Sequence, residues 1–142
     1  MGFIMLTMFA KDLATKKSRV EYLYNDILVG EALEKIEKKR YMMIPVLERG
    51  SNRYLYSLSE GDLLRYICQV GSVRRANKKP LSSVTIERLV VPVKEEADLS
   101  VVLDLAPNQN FIPLIDEKGV FKGIVTRKSI LYHLIPTSEE GE

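Results

Sequence analysis

Two stretches of the chain carry the same order of apolar and polar positions. In the first, the apolar run Ile44-Pro-Val-Leu47 is followed by polar Glu48-Arg-Gly-Ser-Asn52 and then by Tyr54–Leu58. In the second, Ile112-Pro-Leu-Ile115 precedes Asp116-Glu-Lys-Gly119 and Val120–Val125. Short apolar runs bounded by turn residues predict buried strands, and the polar stretches between them predict hairpin turns. Pro45 and Pro113 must stand where a strand needs no donor, at a start or an edge. After each hairpin, apolar residues recur at helical spacing: Leu63, Leu64 and Ile67 in one copy, Ile130, Leu131 and Leu134 in the other. A second helix lies upstream in each copy. One runs from about Val29 to Arg40, with Ala32, Leu33 and Ile36 inward. The other runs from about Leu99 to Leu105, with Val101, Val102 and Leu105 inward, and ends before Pro107. Extended segments precede these helices at Val20–Leu23 and Leu89–Val93. Each copy therefore reads β-α-β-β-α.

The copies align with Pro45 on Pro113 and Ser59 on Thr126, the first hairpin holding one extra residue at Arg49-Gly-Ser-Asn52. A length difference confined to a turn supports the alignment. A unit of about 60 residues buries little surface by itself. The fold class expected is α+β, with two repeats packed on their sheets about a pseudo-two-fold axis. The boundaries expected are an N-terminal helical segment over 1–18, repeats over 19–69 and 81–135, a polar linker over 70–80 and a disordered acidic tail over 136–142. The apolar start, Met1 to Ala10, is half the length needed to span a bilayer and gives way to Lys11 and Asp12. It reads as an amphipathic helix packing on the body or on a second subunit.

Composition narrows the function. The chain has 142 residues, 46% apolar and 28% charged, which excludes a disordered or collagen-like chain. Lys and Arg total 21 against 19 Asp and Glu, a net charge of +2. That balance lacks the basic surplus of a dedicated nucleic-acid binder, and the four cations of the linker read as a solvated connection. With Cys68 as the one cysteine and His133 as the one histidine, disulfides, Cys clusters and two-His zinc sites are excluded. A reducing cytoplasm is the expected location. Cys68 reads as a buried thiol on its helix and His133 as an exposed side chain near a helix end. There is no Gly-rich phosphate loop, no carboxylate cluster at metal spacing and no nucleophile–His–acid set, so neither enzyme activity nor a cofactor is expected.

Two helix starts carry candidate chemistry. Ser59-Glu-Gly-Asp62 has the form of a capping box, which ties down free N–H groups and also leaves a carboxylate at the helix start. Thr126-Arg-Lys-Ser129 breaks the rule that cations avoid a helix N-terminus. Either Arg127 and Lys128 extend into water, or a bound phosphate supplies the compensation. Met42 and Met43 are core filler or ligand contacts. Alternation along a strand puts them on opposite faces, so one at most faces a cleft.

The Pro-Val strand, the hairpin and the (Ser/Thr)-x-x-(Asp/Asn) helix start together resemble cystathionine-β-synthase (CBS) domains. Gly123-Ile-Val-Thr-Arg-Lys-Ser-Ile-Leu131 is the better copy at its start, and Ser57-Leu-Ser-Glu-Gly-Asp-Leu-Leu64 at its Asp. In tandem, over roughly Arg19 to Leu134, they resemble a Bateman module of the small bacterial kind that binds cyclic di-AMP. Its Thr-Arg-(Arg/Lys) ending and the Tyr before its first Pro-Val strand are shared here. The resemblance implies a homodimeric regulator that binds an adenine nucleotide between its repeats and signals to a partner protein, without catalysis, membrane or nucleic acid. Cyclic di-AMP is the first choice, with AMP, ADP or ATP next. By position, the resemblance gives Asp62 the ribose role and Ser59 and Thr126 the phosphate side, next to the Arg127 and Lys128 that the helix-dipole argument singles out. The adenine wall falls on Tyr41, Met42, Met43 and Pro45, with Phe111 and Pro113 as their counterparts, and Arg19 takes a ligand contact ahead of the first strand. Ser129 stands where the second copy would carry Asp, which implies one good nucleotide site per chain. The alternative is a ligand-independent scaffold or a DNA-associated regulator.

Overall fold

The computed structural model describes residues 8–39 and 42–134. The expectations for Tyr41, for most of the apolar N-terminal run and for the acidic tail lie outside the described residues. The elements in chain order are β1 (Thr15–Lys16), β2 (Leu23–Tyr24), α1 (Val29–Lys39), β3 (Met43–Leu47), β4 (Tyr54–Ser59), α2 (Glu60–Val70), α3 (Val73–Asn77), β5 (Val93–Lys94), α4 (Leu99–Leu105), β6 (Phe111–Ile115), β7 (Phe121–Thr126) and α5 (Arg127–Leu134). Short 3-10 turns add Ala10–Leu13, Lys17–Arg19, Leu81–Ser83 and Ala106–Asn108. The β-α-β-β-α order holds in both repeats, β2-α1-β3-β4-α2 and β5-α4-β6-β7-α5.

The chain forms two compact units. One is Glu21–Val90; the other joins the described residues up to Val20 to those from Val91 onward. The first unit holds the sheet β2-β3-β4, with β2 parallel and β4 antiparallel to β3. Pro45 precedes the two residues of β3 that pair with β2, Val46 and Leu47, so its missing N–H interrupts no ladder there. The core of this unit gathers Leu23, Val29, Ala32, Ile36, Ile44, Val46, Leu58, Leu63, Leu81 and Val84. Tyr54 and Tyr56 stand at its edge, where the Tyr54 hydroxyl meets Ser57 Oγ at 2.7 Å and the Tyr56 hydroxyl donates to Asn25 Oδ1 at 2.6 Å. Burial disfavours the phenolate and pushes both hydroxyls up to about 12. Because the folded value lies above the unfolded one near 10, their contribution to stability is complete below about pH 10 and is lost as the pH rises through about 12. In an alkaline titration followed by tyrosinate absorbance, Tyr54 and Tyr56 should therefore ionise late and together with unfolding. Phe substitution at both positions should remove that late phase, and its survival in the double variant would contradict the assignment.

In the second unit the sheet order is β1-β7-β6-β5. Its core includes Ala10, Leu13, Val93, Leu99, Val102, Ala106, Ile112, Leu114, Val125 and Ile130. β1 pairs antiparallel with β7, Thr15 opposite Ile124 and Lys16 opposite Gly123. Gly123 has φ 152°, a conformation that L side chains rarely adopt. The lead-in to β5 is held by buried Gln109, whose Oε1 accepts from the Val91 amide at 2.8 Å while Nε2 donates to the Val91 carbonyl at 3.1 Å.

Several sequence expectations change. The linker over 70–80 carries α3, packed through fully buried Ala76. Gly71, at φ 81°, ends α2 in the left-handed conformation that frees the chain to turn into it. The extended segments expected at Val20–Leu23 and Leu89–Val93 form strands only at their ends, over Leu23–Tyr24 and Val93–Lys94. The N-terminal segment enters the body as a 3-10 turn and a strand, since β7 offers it a free edge. Helical spacing also marked residues that do not face the core. Leu64 is 63% exposed, Leu131 58% and Val101 42%. Cys68 is exposed, because it lies one turn beyond Leu64 on the outer face of α2.

Candidate functional site

The start of α2 concentrates the polar chemistry of the first unit. Ser59 closes β4 in extended conformation and Glu60 opens the helix. The first amides of a helix have no acceptor within it. Ser59 Oγ accepts from the Asp62 amide at 3.1 Å, and Asp62 Oδ2 accepts from the Ser59 amide at 3.0 Å. This is the reciprocal box expected from the sequence. Asp62 is only 4% exposed, which a carboxylate tolerates when its oxygens are paired. Its Oδ1 takes two further donors, Arg65 Nη2 at 2.5 Å and the Glu87 amide at 3.4 Å. Arg65 Nε lies 2.9 Å from Glu87 Oε2, so one guanidinium spans both carboxylates.

Beside this cluster is a pocket of about 230 Å³ lined by Asp62, Arg65, Tyr66, Gln69, Thr85 and Glu87. It offers a buried acceptor for hydroxyl groups, an aromatic ring, an amide and one cation. Of its lining, the sequence pattern singled out Asp62 alone. Arg65 was within reach of sequence reasoning through its acid–base spacing with Asp62 at i, i+3. Thr85 and Glu87 come from beyond α3 and carry no local signal.

The expected adenine wall falls beside the same helix start. Met43 stands opposite Ser59 and Pro45 opposite Ser57 in the β3–β4 pairing, and the Met42 carbonyl accepts from the Glu60 amide at 3.2 Å. Met42 precedes β3 and is 70% exposed, whereas Met43 is half-buried within it. Arg19 belongs to the other unit, in the turn Lys17–Arg19.

In the second repeat the corresponding helix start uses hydroxyls alone. Thr126 Oγ1 accepts from the Ser129 amide at 3.0 Å, and the Thr126 amide donates to Ser129 Oγ at 3.1 Å. Ser129 thus closes the box without the carboxylate that Asp62 supplies. Phe111 pairs with Thr126, and Pro113 with Ile124; both Phe111 and Pro113 are buried. The exception to the dipole rule has an internal answer for one cation. Arg127 Nε donates to the Ala106 carbonyl at 2.8 Å and Nη2 to the Pro107 carbonyl at 3.2 Å. The side chain caps carbonyls beyond α4, which compensates its place at a helix start without invoking a phosphate. Lys128 is exposed beside it. His133 is exposed as expected, with Nδ1 2.8 Å from the Ser129 carbonyl. Among the described residues no group of three or more His, Cys, Asp or Glu side chains could hold a metal ion, and no helix is long and apolar enough to cross a membrane.

A duplicated β-α-β-β-α unit with this helix start defines a tandem regulatory fold, and the CBS-domain family model matches residues 10–69 and 82–136. The chain belongs to the CBS-domain family, whose domains are generally regulatory and non-catalytic. Among solved structures it is similar to CbpB in complex with c-di-AMP, at 18% identity and TM-score 0.84, covering 94% of this chain and 88% of that one. A CBS domain-containing protein from Bacillus anthracis is 26% identical with TM-score 0.80, covering 94% and 97% of the two chains. CBSX2 in complex with AMP is 21% identical with TM-score 0.67, over 88% and 94%. No curated protein matches the sequence.

Proposed function

We propose that the protein is a non-catalytic sensor that binds an adenine nucleotide and relays its presence to a partner protein as a homodimer. Cyclic di-AMP is the first choice of ligand; AMP, ADP and ATP follow. The observation that carries this reading is the pocket beside Asp62, at a helix start inside the first of the two stretches that the CBS-domain family model matches. A ribose hydroxyl is a donor suited to that buried carboxylate, and the Met42–Pro45 segment beside it is the candidate wall for the base. Thr126 and Lys128 are the phosphate-side contacts proposed in the second repeat, with Arg127 already serving the Ala106 and Pro107 carbonyls. Similar structures hold c-di-AMP in CbpB and AMP in CBSX2, which agrees with an adenine ligand. Signalling then requires that the ligand bind one arrangement of the protein better than another.

Parallel calorimetric titrations with cyclic di-AMP, AMP and ATP test the reading. At a hundredfold excess over Kd, the bound nucleotide should add about 2.7 kcal/mol of stability, seen as a raised Tm. Asp62→Asn should weaken binding roughly tenfold or more, because one charged acceptor is lost. Lys128→Glu should weaken phosphate-bearing ligands without lowering the Tm of the free protein. If none of the three nucleotides gives heat or raises the Tm, the sensor reading fails and a ligand-independent scaffold takes its place.

A further inference from the structure

The Asp62 pocket holds two carboxylates and a single cation among its lining residues. The cation is Arg65, and its guanidinium is committed to both acids, Nη2 on Asp62 Oδ1 and Nε on Glu87 Oε2. Two consequences follow from charge and geometry. Asp62 Oδ2 accepts from the Ser59 amide of the helix cap, and Oδ1 accepts from Arg65 and from the Glu87 amide; of these donors Arg65 alone is a side chain that can move away, so a hydroxyl reaches Asp62 most readily by taking its place on Oδ1. A phosphate brought into the same pocket meets a net negative lining, and Arg65 is the one group there that could offset it. The Arg65 side chain is 47% exposed, so the guanidinium has room to leave Asp62 by rotating its outer bonds.

We propose, resting on the nucleotide reading above, that Arg65 determines the specificity of this pocket. The guanidinium acts as an internal stand-in for a ribose hydroxyl on Asp62. An incoming ribose displaces it, and the freed guanidinium pairs with the phosphate of the same ligand. A neutral nucleoside must break the Arg65–Asp62 contact with nothing to receive the arginine. A nucleotide breaks the same contact and replaces it with a charge-assisted pair, often bidentate for arginine and phosphate. The device therefore selects phosphorylated adenosines against adenosine itself. Glu87 sets its strength, because it competes with the phosphate for the same guanidinium.

The test measures affinities of adenosine, AMP and cyclic di-AMP for the full chain and for Arg65→Met, Arg65→Lys and Glu87→Gln. Met keeps the length and apolar packing of the stem without its donors. In Arg65→Met, adenosine should bind at least as tightly as in the parent, while AMP and cyclic di-AMP weaken roughly tenfold or more. The preference for phosphate should collapse accordingly. Glu87→Gln should shift the other way, tightening the phosphorylated ligands several-fold. Arg65→Lys should retain part of the preference, and together with Glu87→Gln it decides the matter if Arg65→Met does not fold. An equal loss for adenosine and nucleotides in Arg65→Met would reduce Arg65 to a structural strut, and an unchanged ratio in all three variants overturns the proposal. If the parent binds none of the three ligands, the nucleotide reading fails first and this device with it.

Discussion

Replacing Gly123 by alanine is expected to detach β1 from its sheet and cost about 3 kcal/mol of stability. A methyl group at Gly123 would fall on the Thr15 carbonyl oxygen, well inside contact distance, with Thr15 C at 3.2 Å and Lys16 Cα at 3.3 Å close behind. All three neighbours are backbone atoms, so no side-chain rotation relieves the clash. The φ of 152° adds conformational strain for any residue with a Cβ. Gly123 is also held from both sides, paired with Lys16 on one flank and Leu114 on the other. The cheapest adjustment is for the two-residue strand β1 to let go. For a chain of this length the Tm should fall by about 10 °C. Hydrogen exchange supplies the local readout, with faster exchange in β1 and along the exposed edge of β7. Unchanged protection there, with an unchanged Tm, would show that the N-terminal strand is not seated as described.

Leu58→Ala is expected to cost about 2–5 kcal/mol, the usual range for a buried leucine. Leu58 is 0% exposed and lies opposite Ile44 across the β3–β4 pairing. The space left by its isobutyl group is bounded by the regular elements β3 and β4 and by Leu63 of α2, so collapse around it is limited. Leu55 on the same strand is an internal control. It is 41% exposed, and Leu55→Ala should change stability by no more than about 0.5 kcal/mol. Chemical denaturation of the two variants beside the parent makes the comparison. Equal losses would mean that the face of β4 assigned to the core is wrong.

The contrast between these two leucines shows how far alternation along a strand can be read from sequence. Leu55 and Leu58 differ by an odd number of positions, so period-two patterning puts them on opposite faces. Once Leu58 is placed inward, Leu55 must point out. The helices were less legible. Leu64 and Leu131 follow Leu63 and Ile130 directly, and a helix turns 100° per residue, so a pair of adjacent apolar residues straddles the boundary of the buried face. Which of the two is covered depends on what packs against the helix, and spacing alone does not say. Cys68 directly follows Ile67 in the same way: its spacing reads as inward, and the structure exposes it.

At the candidate site the same division holds. The Ser59–Asp62 and Thr126–Ser129 boxes join residues three apart, and their hydrogen bonds follow from the helix start itself. The partners of Asp62 and Arg127 beyond those boxes do not. Glu87 comes to Asp62 across 25 residues, and the Ala106 carbonyl to Arg127 across 21.

By itself the amino-acid order determined the duplication, the β-α-β-β-α order of each copy, the turns and the Ser59–Asp62 helix cap. These rest on side-chain period, on fixed backbone dihedrals and on hydrogen bonds within one helical turn, all of them local. Only the tertiary structure decided that the N-terminal strand joins the sheet of the second repeat, that Arg65 bridges Asp62 to Glu87, and that Arg127 serves two distant carbonyls. Each of those depends on which segments chain closure brings side by side, and a backbone edge or a carbonyl offers its hydrogen bonds to whichever segment arrives there.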